Sequence, residues 1–238
     1  MIISIERQQQ IDIIILSYAH SVELQQVTIA CINSLMISED PLSIKFNVVV
    51  IESEMALDNY QYPFSRTIYP SQPFGFHRYM NLGVSLTNAP YVCLCNNDLL
   101  FHKGWASEIL NYMYKISGLV SASPICSIYH AEIGISTFSG VRIGYNVGVE
   151  IAGWCLFIKR EALDTMGELD ENFAFNAADL DYSTTLEALG LKHGLITSSI
   201  VDHLRSKTLN TQSDEKQDEL NLGKKYYDQK WNYRLCLR

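Results

Sequence analysis

Asp98 closes a run of mostly apolar residues, YVCLCNND over 91–98. A buried strand that ends this way carries a carboxylate to the rim of its sheet. In open α/β sheets ligands bind at that rim, beyond the carboxyl ends of the strands. Two further groups stand at the ends of elements. One is the acidic cluster of Asp179 and Asp181; the other is His203, which follows the apolar run 196–201. Two carboxylate clusters and one imidazole offer the ligand types that hold a divalent metal, and such a metal can hold a phosphorylated substrate.

These groups need a scaffold, and the composition permits one. The chain has 238 residues, which fits one large α/β domain. Apolar residues make up 47% and charged residues 18%, enough for a sizeable core and unlike a disordered chain. The net charge of -8 argues against broad non-specific binding to DNA or to an anionic membrane. No apolar run approaches the ~20 residues that span a bilayer. Residues 1–10 carry Glu6, Arg7 and a run of glutamines, unlike a signal peptide. The six cysteines lie mostly in apolar stretches and form no C-x-x-C pair, so they read as small buried hydrophobes and not as a zinc site. Together these features favour a reducing, cytoplasmic compartment.

Residues 11–17 (IDIIILS) form a β-branched run, as expected of a strand covered on both faces. Helical spacing follows over 21–36, then a second apolar strand over 46–51 with Glu52 at its end. Strand, helix and strand make a βαβ unit with a right-handed crossover. Further along, the pattern predicts a short strand at 66–69, a helix over 76–86, the strand beginning at Tyr91, a helix over 103–115 and a strand over 119–123. Residues 127–148 read as an irregular hairpin or loop. A strand over 151–158, helices over 160–166 and 179–189 and a last strand over 192–197 follow. The segment 211–220 looks solvated, and 224–231 (KKYYDQKW) reads as a closing helix. The fold class is therefore α/β, with a Rossmann-like, mostly parallel central sheet flanked by helices.

Six segments in this order resemble a family 2 glycosyltransferase with the GT-A fold: IDIIILSYAH, FNVVVIESE, FGFHRYMNLGVSLTNAPYVCLCNNDLLF, GWCLFIKREALDTMGELDENFAF, AADLDYSTTLEALGLK and IVDHLRSKT. The resemblance covers residues 11–205 and rests on the order of the segments. It implies a single GT-A domain over 1–238. Residues 1–100 would bind the nucleotide-sugar, 101–205 would form the acceptor and catalytic half, and 206–238 would be a tail with a closing helix. It also implies transfer of a sugar from a nucleotide-diphosphate donor to a hydroxyl of a glycan or glycoconjugate, with Mn2+ or Mg2+ and with inversion at the anomeric carbon.

The resemblance assigns roles residue by residue. Asp98 falls on the last position of the family's D-x-D motif and is expected to bind the metal; Asn96 replaces the first Asp, and Asn97 lies between. His203 matches the family's late histidine, a second metal ligand, with Asp202 either its support or a surface charge. Ala178 and Asp179 match the family's Glu-Asp pair, so Asp179 is the expected base, unless it merely caps its helix. Its place near a helix N-terminus lowers its pKa, and acceptor binding and desolvation would have to raise it again. Ala178 removes a group that contacts acceptor. Ser17, Tyr18 and His20 follow the first strand, where the nucleotide is recognised, and Glu52 stands where the family has an Asp that contacts the base. Asn81 belongs to an Asn-x-Gly pattern, and Arg78 either neutralises diphosphate or is a solvated helix residue. Trp154, after Gly153, either stacks on an acceptor sugar or fills the core.

Two other readings share these residues. One keeps the donor and makes the acceptor a modified nucleic-acid base, with Arg205, Lys207, Lys224 and Lys225 as the candidates for phosphate contacts. The other is a degenerate, non-catalytic nucleotide-sugar-binding protein, motivated by Asn96 and Ala178.

Overall fold

The computed structural model describes residues 8–54, 59–138, 140–204 and 214–235, with side chains of the last stretch placed over 222–232. Strands β1 (Gln9–Ser17) and β2 (Ile44–Glu52) pair in parallel, the arrangement open to two strands joined by a helix, α1 (Val22–Met36). Ser21 caps α1: its hydroxyl accepts the Leu24 N–H and satisfies one donor that a helix start leaves open. β3 (Ser65–Ile68) adds to β2, and after α2 (Phe76–Ser85) the chain returns as β4 (Tyr91–Asn96) beside β1. All three pairings are parallel, so the carboxyl ends of β1, β2 and β4 share one edge. Ser17, Glu52 and Asn96 stand there.

The order continues with β5 (Leu99–Phe101), α3 (Trp105–Lys115), β6 (Leu119–Ile125), α4 (Tyr129–Glu132) and β7 (Val141–Ile143). It closes with β8 (Cys155–Lys159), α5 (Arg160–Met166), α6 (Ala178–Ala188), β9 (Lys192–His203) and α7 (Asp214–Leu235). The nine strands form one sheet in the order β3-β2-β1-β4-β8-β6-β9-β5, with β7 on β9. It is parallel through its first four strands and mixed beyond, because β8 runs antiparallel to both β4 and β6. Side chains alternate across β1 as a strand requires. Ile11, Ile13 and Ile15 pack with α1 and α3 on one face, and Ile14 packs with α2, α5 and α6 on the other.

The closing helix expected over 224–231 begins earlier, at Asp214, and three other expectations shift. The stretch 127–148, read as irregular, holds α4 and the short β7. The strand expected from 151 begins at Cys155, since a turn over 151–154 is closed by the Cys155 N–H on the Ala152 carbonyl. The strand expected to end at 197 runs on to His203 after a register shift opposite Pro124 and Ile125, and its far end pairs with β5.

The thiols of Cys93, Cys95 and Cys155 meet between β4 and β8, with Cys93 Sγ 3.3 Å from Cys95 Sγ and 3.6 Å from Cys155 Sγ. Burial raises the pKa of all three well above the usual thiol range, so thiolate, the form that binds a metal, is disfavoured there. They fill core space beside Ile13, Ile15 and Phe157.

His193 is fully buried between Ser121, whose Oγ lies 2.7 Å from its Nδ1, and the Glu150 carbonyl, 3.0 Å from its Nε2. Burial pushes its pKa down from 6.5 to about 4. The unfolded chain therefore binds the extra proton first. The stability gained from keeping this ring neutral is present above pH 6.5 and is lost as pH falls toward 4. Urea denaturation across that window is expected to show a loss of about 3 kcal/mol from this group. His193→Asn, less stable at neutral pH, should lack that part of the acid slope.

Candidate active site

Strand β5 runs antiparallel to β9 with Leu99 opposite His203, and the Leu204 N–H extends the ladder by donating to the Asp98 carbonyl at 2.9 Å. That short ladder brings Asp98 and His203 together: His203 Nε2 lies 3.2 Å from Asp98 Oδ1. The Asp98 residue is 6% exposed. Trp154, in the turn before β8, lays its ring flat on the imidazole, with centroids 5.1 Å apart and planes at 8°. Tyr129 meets the indole edge-on at 5.4 Å. Trp154 Nε1 is buried without a hydrogen-bond partner among the described residues. One face of Trp154 is thus taken by His203.

Asp98 and His203 suit a divalent cation. Adjacent corners of an octahedron with bonds of ~2.1 Å stand about 3 Å apart. The observed 3.2 Å is that of a direct imidazole–carboxylate hydrogen bond and also fits two ligands sharing one ion. The nitrogen makes this a better donor set for Mn2+ than for Mg2+, which prefers oxygen throughout. Asp202, next to His203, points elsewhere. Its carboxylate is buried, accepts the Ser127 N–H at 2.6 Å and pairs with His102 Nε2 at 2.8 Å. Burial opposes ionisation of Asp202, but these hydrogen bonds and the His102 ring outweigh it and hold its pKa below the usual value. His102 carried no motif and escaped the sequence reading.

Asp179 packs against Gly153, the residue before Trp154. A Cβ placed on Gly153 would stand 3.1 Å from Asp179 Cβ and 3.2 Å from its Oδ2, so glycine permits the approach. Gly153 precedes Trp154, so pairwise contacts and one peptide bond link Asp98, His203, Trp154, Gly153 and Asp179. Asp179 is not the helix cap. Ala177 is, and Asp179 lies one residue inside α6, where its Oδ1 accepts the Leu180 N–H at 2.9 Å. Of the two opposed effects expected on its pKa, desolvation wins over the helix N-terminus. Burial raises it and outweighs the nearby backbone donors and the His77 charge. A carboxylate raised in this way is better matched to taking a proton near neutral pH. Ala178 is buried against Phe173 and Ala177 and faces no open surface.

At the carboxyl end of β2, Glu52 is neither a surface residue nor open to a ligand. It is 2% exposed and accepts the Tyr62 hydroxyl at 2.8 Å, the Ala19 N–H at 3.2 Å and the Glu54 N–H at 2.9 Å. The expected contact of Glu52 with a nucleobase is corrected accordingly: its oxygens face inward. Ser17 Oγ lies 3.0 Å from Thr28 Oγ1, which also accepts the Asn97 amide at 2.8 Å. A buried chain from Glu52 through Tyr62, Ser17 and Thr28 thus ends on Asn97, beside Asp98. Tyr62 and Thr28 sit in segments with no motif, and only their placement picks them out. Tyr18 is 45% exposed and lies ring to ring with His20 at 5.2 Å, so these two present the open surface at this end. Asn96 continues the β4 ladder, its N–H donating to the Trp154 carbonyl.

Arg78 and Asn81 bond elsewhere. Arg78 Nε pairs with Glu171 at 2.9 Å, and Asn81 donates to the Leu169 carbonyl and accepts its N–H. Both line a cleft of about 430 Å3 with Tyr69, Tyr79, Glu168 and Glu171, and neither Asp98, Asp179 nor His203 lines it. The Arg78 guanidinium, read as either a diphosphate contact or a solvated helix residue, is paired with the Glu171 carboxylate, and both side chains are partly exposed. Of the basic candidates for nucleic acid, Lys224 and Lys225 are exposed on α7, while Arg205 and Lys207 lie outside the described residues.

No family model and no curated protein matches the chain. Solved structures do match it. A crystal structure of GalNAc-T7 with UDP, GalNAc and Mn2+ superposes with a TM-score of 0.66 at 10% identity, covering 93% of this chain and 50% of that one. The catalytic domain of Drosophila β1,4-galactosyltransferase 7 in complex with xylobiose gives 0.56 at 12%, covering 89% and 79%. TarS of S. aureus, residues 1–349, gives 0.62 at 12%, covering 81% and 59%. This chain thus spans half the length of the GalNAc-T7 chain. Among the described residues no helix is long and apolar enough to cross a membrane. At these identities the likeness is one of architecture, and the architecture that this chain shares with all three is the GT-A fold.

Proposed function

We propose that this protein is a glycosyltransferase of family 2 type that moves a sugar from a nucleotide-diphosphate donor to a hydroxyl of a glycan or glycoconjugate, with inversion. The observation that carries this reading is the Asp98–His203 pair, 3.2 Å apart at the sheet rim, with Asp179 packed against Gly153, the residue before the Trp154 that stacks on His203. Asp98 and His203 would hold Mn2+. When bound there, the ion supplies positive charge that makes the diphosphate a better leaving group. Tyr18 and His20 would meet the nucleotide, held in place by the buried chain beneath them. Asp179, with its raised pKa, would take the proton from the acceptor hydroxyl as the bond to the sugar forms. We assign donor binding to 1–100 and acceptor handling to 101–205. Five buried free thiols fit a reducing, cytoplasmic setting.

The UDP and Mn2+ in the GalNAc-T7 structure make UDP the first nucleotide to try. Thermal shift with nucleoside diphosphates, in Mn2+ or in chelator, tests the reading. One of them should raise Tm with Mn2+ and much less without it, and a ligand at 100 times its Kd stabilises by about 2.7 kcal/mol. Release of that nucleotide from its sugar donor should follow. Failure of every nucleotide to stabilise the protein in Mn2+ would refute the reading; tight binding without turnover for any acceptor would favour the non-catalytic alternative.

A further inference from the structure

Helix α7 touches the turn that presents Asp179 at a point where only glycine fits. A Cβ on Gly223 would stand 2.6 Å from the Asn176 carbonyl oxygen. The next residue in that turn, Ala177, holds φ at +62°, a left-handed conformation that costs any residue with a Cβ and persists only where its surroundings enforce it. The surroundings here include α7: Tyr226 and Tyr227 pack on Phe173, Ala177 and Ala178. Further along, the Tyr227 hydroxyl lies 2.7 Å from Thr184 Oγ1 on α6. Lys230 Nζ bridges Asp170 Oδ2 at 2.8 Å and Asp181 Oδ1 at 2.6 Å, and Trp231 Nε1 donates to the same Asp181 oxygen at 2.8 Å. Asp181 and Trp231 are both buried. The first turn of α6 therefore takes a cation and an indole N–H from α7, two residues after Asp179.

We propose that α7 is a brace for the proton-accepting side of the site: Gly223, Lys230 and Trp231 hold the Ala177 turn and the start of α6, and so fix where Asp179 stands against Gly153. This rests on the reading of Asp179 as the base. Lys230 and Trp231 are positioning residues; they act through Asp181. If α7 shifts outward, Ala177 is free to leave its left-handed conformation, and residues 178 and 179 turn with it. The buried Asp181 carboxylate also loses its neutralising partner, which favours rearrangement of that turn. The donor end, built on β1, β2, β4 and the β5–β9 ladder, does not depend on these contacts.

The test measures nucleotide affinity in Mn2+ by calorimetry and donor turnover in the full chain, for Gly223→Ala, Lys230→Met, Lys230→Arg and Trp231→Phe. Gly223→Ala is informative because alanine favours helix over glycine, while its methyl must push α7 off Asn176. Gly223→Ala and Lys230→Met should lower kcat by about tenfold or more, with nucleotide Kd within about twofold of wild type, and Lys230→Arg should restore most of the rate. Trp231→Phe removes one N–H and keeps an aromatic ring, so it decides the matter if Lys230→Met does not fold; a several-fold fall in kcat alone is expected. Unchanged kcat in folded Gly223→Ala and Trp231→Phe overturns the brace. So does a parallel loss of kcat and nucleotide affinity, which marks a general structural role. Asp179→Asn separates the two ideas. If it keeps wild-type turnover, the base assignment fails. If it loses turnover while the α7 variants keep theirs, the brace alone fails.

Discussion

Asp98→Ala should abolish the Mn2+ dependence of nucleotide binding and leave the fold in place. The backbone role of Asp98 survives the change, because its carbonyl still accepts the Leu204 N–H. What disappears is the carboxylate that stands 3.2 Å from His203 Nε2. With one of two protein ligands gone, and that one the charged member, the ion is held by a single imidazole and the substrate phosphates. A loss on the order of 100-fold in nucleotide affinity in Mn2+, about 2.7 kcal/mol, is expected, with no loss in chelator. Asp98→Asn keeps the shape and an oxygen but not the charge, and should fall between. Calorimetric titration of the nucleotide with and without Mn2+ checks this. An affinity in Mn2+ that Asp98→Ala leaves unchanged would remove Asp98 from the site.

The second large effect is expected at the proton. Asp179→Asn should leave donor binding within about twofold of wild type and lower turnover by roughly 10^2 to 10^4, the usual contribution of a general base. The side chain keeps its size, so the close approach to Gly153 survives. Burial raises the Asp179 pKa above 3.8, and a base works only in its ionised form. Turnover should therefore fall as pH drops through that raised value, on an acid limb displaced upward from an ordinary carboxylate. The limb must be read where circular dichroism shows the chain still folded, since His193 destabilises the protein over part of the same range. Asp179→Asn should have no such limb in its residual rate. Single-turnover kinetics at two pH values distinguish these outcomes.

Much of the first hundred residues could be read from the sequence because its signals are local. The β-branched run at 11–17, the helical spacing of 21–36 and the apolar run into Asn96-Asn97-Asp98 each specify their own element. The site as a whole could not be read that way. Nothing in LLF at 99–101 marks a strand three residues long, yet β5 and its pairing with the far end of β9 are what set Asp98 beside His203. The polar residues Thr197, Ser198 and Ser199 obscured the length of β9, which holds them because Thr197 and Ser199 bond to the Gly140 and Trp105 carbonyls. Glu52 stood at a strand end, where exposure is the natural expectation. Its burial follows from Tyr62, a partner from a loop with no pattern of its own. The surroundings of Asp179 give no sequence signal: Ala177 is left-handed, where glycine or asparagine is the usual choice. The contacts of Lys230 and Trp231 with Asp181 link residues far apart in the chain, and spacing rules do not reach them.

The central claim is that one divalent ion sits between Asp98 and His203. Pulsed electron paramagnetic resonance of Mn2+ added to the protein with bound nucleotide reports directly on nitrogen in the ion's coordination shell. The expected spectrum carries 14N modulation from one imidazole, present in the wild type and absent from His203→Gln. A wild-type complex that holds Mn2+ and nucleotide yet shows no nitrogen coupling, or a coupling that survives in His203→Gln, would contradict it.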